Sequence, residues 1–383
     1  MELRGFDTTG FLRNFWQKKP LLIRNAWTEW SNPLEPDELA GLACESGIES
    51  RLIIASLDRW ELEHGPLAET RFGELGAYPW TLLVQAVDHH VPAVAALLEP
   101  FRFVPNWRVD DVMVSYAVDQ GGVGAHFDNY DVFLVQGLGE RRWQIGRKCD
   151  HATPLLPQDD LRLLASFEPT EEWVLGPGDI LYVPPGVAHN GVAVGDDCMT
   201  YSIGFRAPSR SELISQWAEY LVDGLEEDDR YTDPHLEVQE NPGEISPQAL
   251  ARLRELALER LLDPREFSRW FGRYSTAPKY SEIDWRPEQP IELAELRQLA
   301  ADGAILLRNP ASRFSFIRGD AGVLELFVDG RSYVCSDAAS VFAEHLCAAS
   351  EVRLAAEVAA SATCLDLILD LLREGSLAVQ QDN

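Results

Sequence analysis

The chain has 383 residues and carries 33 Lys+Arg against 62 Asp+Glu, a formal net charge of −29. Its 46% hydrophobic and 25% charged residues are ordinary globular usage, which excludes a disordered acidic tail, and the length predicts roughly two to three domains. The negative balance argues against nucleic acid as the main ligand, because phosphate binding needs local positive charge, and leaves open a basic protein partner attracted over long range.

From the N-terminus, the pattern predicts a helix over Thr8–Trp16, then a strand over 19–24 entered through Pro20. A helix over Pro36–Ser46 follows, with Pro36 in its first turn. Strands are predicted over Arg51–Ala55 and Trp60–Leu62. The apolar runs Trp80–Val87 and Val91–Leu98 read as a strand and then a helix. The next hundred residues change texture. Short β-rich runs recur at Asp111–Val118, Gly121–Gly124, Asp131–Gly137, Arg141–Ile145, Trp173–Leu175, Asp179–Pro184, Gly191–Val194 and Cys198–Phe205. Such strands with turn signals between them predict a sandwich, jelly roll or barrel. No helical pattern alternates with them, which argues against a parallel α/β sheet.

Helical periodicity takes over from Ser209 to Asp223, with Leu213, Ile214, Trp217, Tyr220 and Leu221 on one stripe. Glu226-Glu227-Asp228-Asp229 and Pro234 predict a loop, Pro247–Leu262 and Pro264–Tyr274 two more helices, and Pro278, Pro287 and Pro290 a linker. The stripe through Leu213, Trp217, Leu221, Leu253, Leu256 and Leu261 suits either an internal core or a dimer seam. The last part predicts a helix over Leu293–Ala301 and a strand over Phe314–Ile317. A hairpin follows, Val323–Val328 and Arg331–Cys335 joined by Asp329-Gly330, then helices over 337–348 and 363–374. Helices with a hairpin resemble a winged helix. Residues 291–383 hold 7 basic and 14 acidic side chains, so this module reads as a protein contact or a structural part rather than a DNA binder. Residues 151–250 hold 4 basic and 19 acidic side chains, net −15, about half of the whole excess.

None of the six cysteines (Cys44, Cys149, Cys198, Cys335, Cys347, Cys364) lies in a CxxC pair or matches a zinc signature. They read as free thiols of a reducing compartment. The N-terminal Met1–Gly5 opens no apolar leader, and no run reaches the roughly 18 apolar residues of a membrane helix. The expectation is a soluble cytoplasmic protein without membrane or direct nucleic-acid contact.

The chemistry concentrates on three residues. His126-Phe127-Asp128 follows a glycine-rich turn and leads into an apolar strand. In extended chain, residues i and i+2 share a face, so imidazole and carboxylate can meet one ion. His189 closes Tyr182-Val183-Pro184-Pro185-Gly186-Val187-Ala188-His189 and enters another strand, which an antiparallel fold can bring beside the pair. Two His and one carboxylate on one face of a metal form the facial triad of non-haem Fe(II) oxygenases, whose open positions admit a bidentate 2-oxo acid and O2. An H-x-D pair alone is common without metal, and a lone His after Pro-Pro-Gly is usually a turn residue. Together, in a strand run that closes a jelly roll, they point to iron; a cupin-type fold with another metal, or with none, is the alternative. An anionic cosubstrate needs a cation. Arg141 and Arg142 lie on the strand after the turn read at Gly137-Leu138-Gly139. Adjacent strand residues face opposite ways, so only one enters the barrel; Arg141 is favoured as a bidentate fork for a distal carboxylate, with both on the surface as the alternative. Ser115, on the preceding strand, can donate to the same carboxylate or be structural.

Three stretches resemble JmjC-type oxygenases: Phe15-Trp16-Gln17-Lys18-Lys19-Pro20-Leu21-Leu22-Ile23-Arg24, then His126-Phe127-Asp128 through Gly137 to Arg141-Arg142-Trp143, and Tyr182 through His189. Within that superfamily the chain is similar to the bacterial ribosomal oxygenases, which hydroxylate an arginine of large ribosomal subunit protein 16. The resemblance implies an α+β fold: a double-stranded β-helix (jelly roll, JmjC/cupin-like) catalytic domain over 1–207, a helical dimerisation region over 208–280 and a winged-helix-like domain over 290–383. It places His126, Asp128 and His189 on the iron ligands and Arg141 on the far carboxylate of 2-oxoglutarate; the transfer to Ser115 is looser. It implies Fe(II), 2-oxoglutarate and O2 as cofactor and cosubstrates, a basic ribosomal protein as substrate, and a homodimer. Rival readings are the same oxygenase acting as a histidyl hydroxylase or lysyl demethylase, and a non-catalytic JmjC binding module. The acidic excess suits a basic protein substrate or histone-like tails, or serves solubility alone.

Overall fold

Antiparallel pairing organises the first half of the chain, in a computed structural model that describes residues 3–56, 59–76, 78–157, 161–226, 230–355, 358 and 360–380. The chain divides into two compact units: residues 1–207 with 280–284 and 309–311, and residues 208–279 with 285–308 and 312–383.

In the first unit the elements run α1 (Thr8–Asn14), β1 (Leu21–Ile23), α2 (Pro36–Cys44), β2 (Ser50–Ser56), β3 (Arg59–His64), α3 (Glu69–Gly73), β4 (Trp80–Val84), α4 (Pro92–Ala95), β5 (Val109–Ala117), β6 (Asp131–Lys148), β7 (Glu171–Leu175), β8 (Ile180–Val183) and β9 (Val187–Phe205). They build a nine-stranded sheet of order β1-β8-β6-β9-β5-β4-β2-β3, with β7 added on β6. Two predicted strand pairs are each one long strand. The Gly137-Leu138-Gly139 stretch read as a turn is a double bulge instead, with register shifts at Gln136/Leu138 and Leu138/Glu140. Gly139 takes φ +60 there, and a Cβ on it would meet the Asp197 carbonyl oxygen at 2.6 Å. Bulges bend a strand without ending it. The first half of β6 therefore pairs with β8 and the end of β9, and its second half with β7 and the start of β9. This is the jelly-roll closure of the α+β fold.

The outer face of the major sheet carries Phe133, Val135, Tyr182, Tyr201, Ile203 and Phe205, packed on Phe11 of α1, Leu39 of α2 and Val94 of α4. Each such side chain is worth about 1.5–3 kcal/mol when fully buried. The inner face is smaller: Val132, Leu134, Trp143, Ile145, Leu175, Leu181 and Val183 fill one end of the barrel. The strand start is pinned by the buried Asp131, which accepts from the Tyr182 hydroxyl (2.6 Å), Gln17 Nε2 (2.9 Å) and Arg108 Nη2 (3.0 Å). Burial pushes that carboxyl group upward in pKa and the three donors oppose the shift. The predicted helix over Val91–Leu98 is short, because 3-10 turns with Pro100 inside replace it from Ala96. The Gly121–Gly124 run forms no strand, only a bridge from Gly122 to Val192.

The second unit holds α5 (Arg210–Asp223), α6 (Pro247–Leu258), α7 (Pro264–Thr276), α8 (Leu293–Ala301), β10 (Ile305–Arg308), β11 (Phe314–Arg318), β12 (Leu324–Val328), β13 (Arg331–Cys335), α9 (Asp337–Ala348), β14 (Glu351–Arg353), α10 (Ala362–Arg373) and β15 (Leu377–Val379). Ser209 and Glu212 close a capping box on α5. Trp217 and Leu221 of α5 bury against Trp270 of α7. The predicted hairpin is present as β12 and β13. Its sheet is completed by β11, and a second sheet of order β14-β10-β15 stands beside a core of Leu296, Phe342, Leu346, Ile368 and Leu371. Those three strands are too short for an alternating pattern to show in sequence. Of the predicted acidic loop, Glu227–Asp229 lie outside the described residues. All six cysteines are free thiols. No helix among the described residues is long and apolar enough to cross a membrane.

Candidate active site

His126 and His189 face each other across an antiparallel bridge, His126 N–H donating to the His189 carbonyl (3.0 Å) and His189 N–H to that of His126 (2.9 Å). The glycines before His126 permit this approach. A Cβ on Gly122 would stand 2.5 Å from the Gly191 carbonyl oxygen. Each imidazole sets Nδ1 against a carbonyl oxygen, Gly124 for His126 (2.8 Å) and Val187 for His189 (3.0 Å). A carbonyl only accepts, so Nδ1 carries the proton and Nε2 keeps its lone pair. Both Nε2 atoms face Asp128 Oδ2, at 3.8 Å from His126 and 3.5 Å from His189. The amide of Gly186 holds the Asp128 carbonyl at 2.7 Å, tying the Pro-Pro-Gly turn to the H-x-D segment. Burial, then the neighbouring His126, pulls the His189 pKa well down, which keeps that ring neutral at physiological pH.

Ligand atoms of His126, Asp128 and His189 lie within 4.8 Å of one another, and no other such group of three occurs among the described residues. Two imidazole Nε2 atoms and one carboxylate suit a divalent first-row metal, and three ligands leave positions for other groups. The donor set fits such an ion.

Further in, Arg141 sits opposite Ala193 on the β6–β9 ladder and is 3% exposed. Its Nε lies 3.4 Å from Cys198 Sγ and its Cζ 5.7 Å from the centre of the Trp143 ring. Its Nη2 is buried and, among the described residues, has no hydrogen-bond partner. An arginine stays charged in proteins, and an unpartnered buried cation is costly, a cost that an anion set against it would relieve. Trp143 lies across Gly191, where a Cβ would meet the ring at 2.6 Å. Indole therefore lines the passage between His189, 5.9 Å away ring to ring, and Arg141.

The structure thus brings the three predicted ligands together and buries Arg141. Ser115 reaches the same inner face, but its hydroxyl donates to the Thr200 carbonyl at 3.4 Å. Sequence reasoning missed the polar residues around it: Gln136, which receives the Thr200 hydroxyl (3.0 Å), Cys198, and Thr81, fully buried with an unpartnered Oγ1. The available signal was polarity inside otherwise apolar strands, as in Phe133-Leu134-Val135-Gln136.

Residues 96–213 match the JmjC domain family, and residues 253–378 match the ROXA-like winged helix. The ribosomal protein uL16 3-hydroxylase of Escherichia coli is 41% identical over 298 residues, 78% of this chain and 79% of that protein. A probable ribosomal oxygenase of Haemophilus influenzae is 38% identical over 275 residues, 68% and 66% of the two chains. Among solved structures, Escherichia coli YcfD superposes with a TM-score of 0.89 at 35% identity, over 99% of this chain and 100% of that one. YcfD in complex with cobalt and 2-oxoglutarate gives 0.86 at 33% identity, over 99% of both. With this site, this fold and this identity across most of both chains, the protein belongs to the JmjC-domain family of ribosomal oxygenases.

Proposed function

We propose that this chain is an Fe(II)- and 2-oxoglutarate-dependent hydroxylase of an arginine side chain in ribosomal protein uL16. The observation that carries it is the pairing of two features in one barrel: the His126–Asp128–His189 cluster and the buried Arg141 with an unpartnered Nη2. His126, Asp128 and His189 are the residues that would hold the iron, and the 2-oxoglutarate and uL16 assignments rest on the relatives described above. Iron, with 2-oxoglutarate and O2, supplies the oxidising power to place one oxygen atom on an unactivated C–H bond, with succinate and CO2 as co-products.

The chain's own residues do the rest. Carbonyl contacts at Gly124 and Val187 hold both imidazoles with Nε2 directed at the metal position. Arg141 offers its guanidinium to the distal carboxylate of the cosubstrate, and Cys198 and Trp143 fix its direction. Trp143 and the apolar inner wall of Leu134, Leu181 and Val183 keep water from the reacting end. A net charge of −29 favours approach of a basic substrate.

The same reading includes a cytoplasmic homodimer without direct nucleic-acid or membrane contact, in which 1–207 is catalytic, 208–280 dimerises and 290–383 is a winged helix. What supports the dimer is α6, which buries none of its residues and leaves Leu250 and Leu253 exposed.

The test uses purified chain with Fe(II), 2-oxoglutarate and an arginine-containing uL16 peptide. Succinate released in step with a peptide mass gain of one oxygen is the expected result. Consumption of 2-oxoglutarate with no peptide change removes the substrate; formaldehyde with loss of a methyl group makes it a demethylase; no consumption removes the activity.

A further inference from the structure

Among the described residues, three buried polar atoms on the inner walls of the barrel have no partner: Trp143 Nε1, beside the histidines, and two deeper atoms that stand on walls meeting at one small-residue cluster. One is Arg141 Nη2 and the other is Thr81 Oγ1. Thr81 is directly opposite Ala117 on the β4–β5 ladder, and Ala117 is directly opposite Cys198 on the β5–β9 ladder. Paired residues of an antiparallel ladder share a face, so Thr81, Ala117 and Cys198 form one row on the inner wall. Arg141 comes from the other wall, opposite Ala193. The two walls meet where Ala117, Ala193 and Cys198 pack together, and Arg141 Nε reaches Cys198 Sγ there. The residues where the walls meet are thus small, and the concave face makes side chains of neighbouring strands converge.

A threonine hydroxyl with zero exposure and no acceptor carries a desolvation cost that native cores seldom leave uncompensated. Threonine is no filler here: valine has the same shape without that cost. Ser115, the other candidate donor on this face, already gives its proton to Thr200. A carboxylate has two oxygens and about four acceptor sites. A guanidinium on one side and a hydroxyl on the other satisfy it, and it in turn satisfies both orphans.

We infer that Thr81 is a second anchor for the distal carboxylate of the 2-oxo acid, donating its hydroxyl proton opposite Arg141 and so setting selectivity for a dicarboxylate. The inference rests on the proposed 2-oxoglutarate chemistry and adds a residue to it.

The test is calorimetric binding to the full-length chain loaded with Mn(II), which leaves turnover out of the readout. Wild type, Thr81→Val, Thr81→Ser and Ser115→Ala are each titrated with 2-oxoglutarate and with 2-oxopentanoate, which has a methyl group in place of the distal carboxylate. Loss of one hydrogen bond to a charged acceptor predicts roughly tenfold weaker 2-oxoglutarate binding in Thr81→Val. Thr81→Ser stays near wild type, Ser115→Ala changes less than Thr81→Val, and 2-oxopentanoate binds all four alike. The melting temperature of metal-free Thr81→Val holds or rises, since a buried unpaired hydroxyl is gone. Unchanged 2-oxoglutarate binding in Thr81→Val, which leaves water as the hydroxyl's only partner, overturns the inference. So does equal weakening of both ligands, which marks a packing defect. Wild type that fails to prefer 2-oxoglutarate over 2-oxopentanoate overturns the cosubstrate reading itself, a result distinct from either.

Discussion

Replacing Arg141 by methionine separates binding from stability, because the guanidinium is buried at 3% exposure with no carboxylate against it among the described residues. Methionine keeps most of the length and the contact with Trp143 and removes the charge. Breaking a buried ion pair by deleting one member costs about 3–5 kcal/mol, which at 1.4 kcal/mol per tenfold is a loss of roughly 100-fold to 3,000-fold in 2-oxoglutarate affinity. The metal-free fold has no ion pair to lose there. It sheds an uncompensated cation, so its melting temperature holds or rises. Calorimetry on the Mn(II)-loaded chain reads the first quantity and a thermal melt of the metal-free chain reads the second. An Arg141→Met variant that binds 2-oxoglutarate within about threefold of wild type refutes the anchor. A melting temperature many degrees lower refutes it too, by making Arg141 a structural residue.

Three further outcomes are expected. Asp128→Ala abolishes metal-dependent turnover and leaves the far-ultraviolet dichroism intact, since the Asp128 side chain lies at the barrel mouth and its backbone, not its carboxylate, holds Gly186; wild-type turnover in that variant removes the site. Burial, then the neighbouring Cys364, raises the Cys335 thiol from about 9 to about 11. The folded state therefore keeps a proton that the unfolded chain loses between pH 9 and 11. Stability is fully present below about pH 9 and falls by up to roughly 2–3 kcal/mol as pH rises through 11, so denaturant titrations of Cys335→Ala show a flatter alkaline decline than wild type, and identical slopes contradict the assignment. Leu253→Glu puts a charge on the unburied face of α6, and sedimentation is expected to show a dimer turning into a monomer, whereas a wild-type monomer at micromolar concentration ends the dimer reading.

The parts of the site legible in sequence were those with short-range signatures. His126 and Asp128 are two residues apart on extended chain, and the Pro184-Pro185-Gly186 turn announces a strand into His189. Parity allowed only one of Arg141 and Arg142 into the barrel, and the family resemblance favoured Arg141. The inner wall beside Arg141 was not legible, because Thr81, Ala117 and Cys198 belong to three strands and become neighbours only through ladder register. A one-residue slip in any ladder would have turned that strand's contribution outward. The same holds for Gly137-Leu138-Gly139, whose glycines signal a turn locally. Only the approach of the Asp197 backbone shows that they serve a bulge in a continuing strand. In the C-terminal part, the Asp329-Gly330 hairpin was readable from its turn, while β10, β14 and β15 depend on pairing between segments up to about seventy residues apart.

The most direct measurement of the central claim is the intact mass of uL16 from cells with the gene for this chain and from cells in which Asp128 has been replaced by alanine. The account predicts that uL16 is heavier by one oxygen atom in the first and that the addition maps to an arginine. An identical uL16 mass in both, with the wild-type chain present and consuming 2-oxoglutarate, contradicts it.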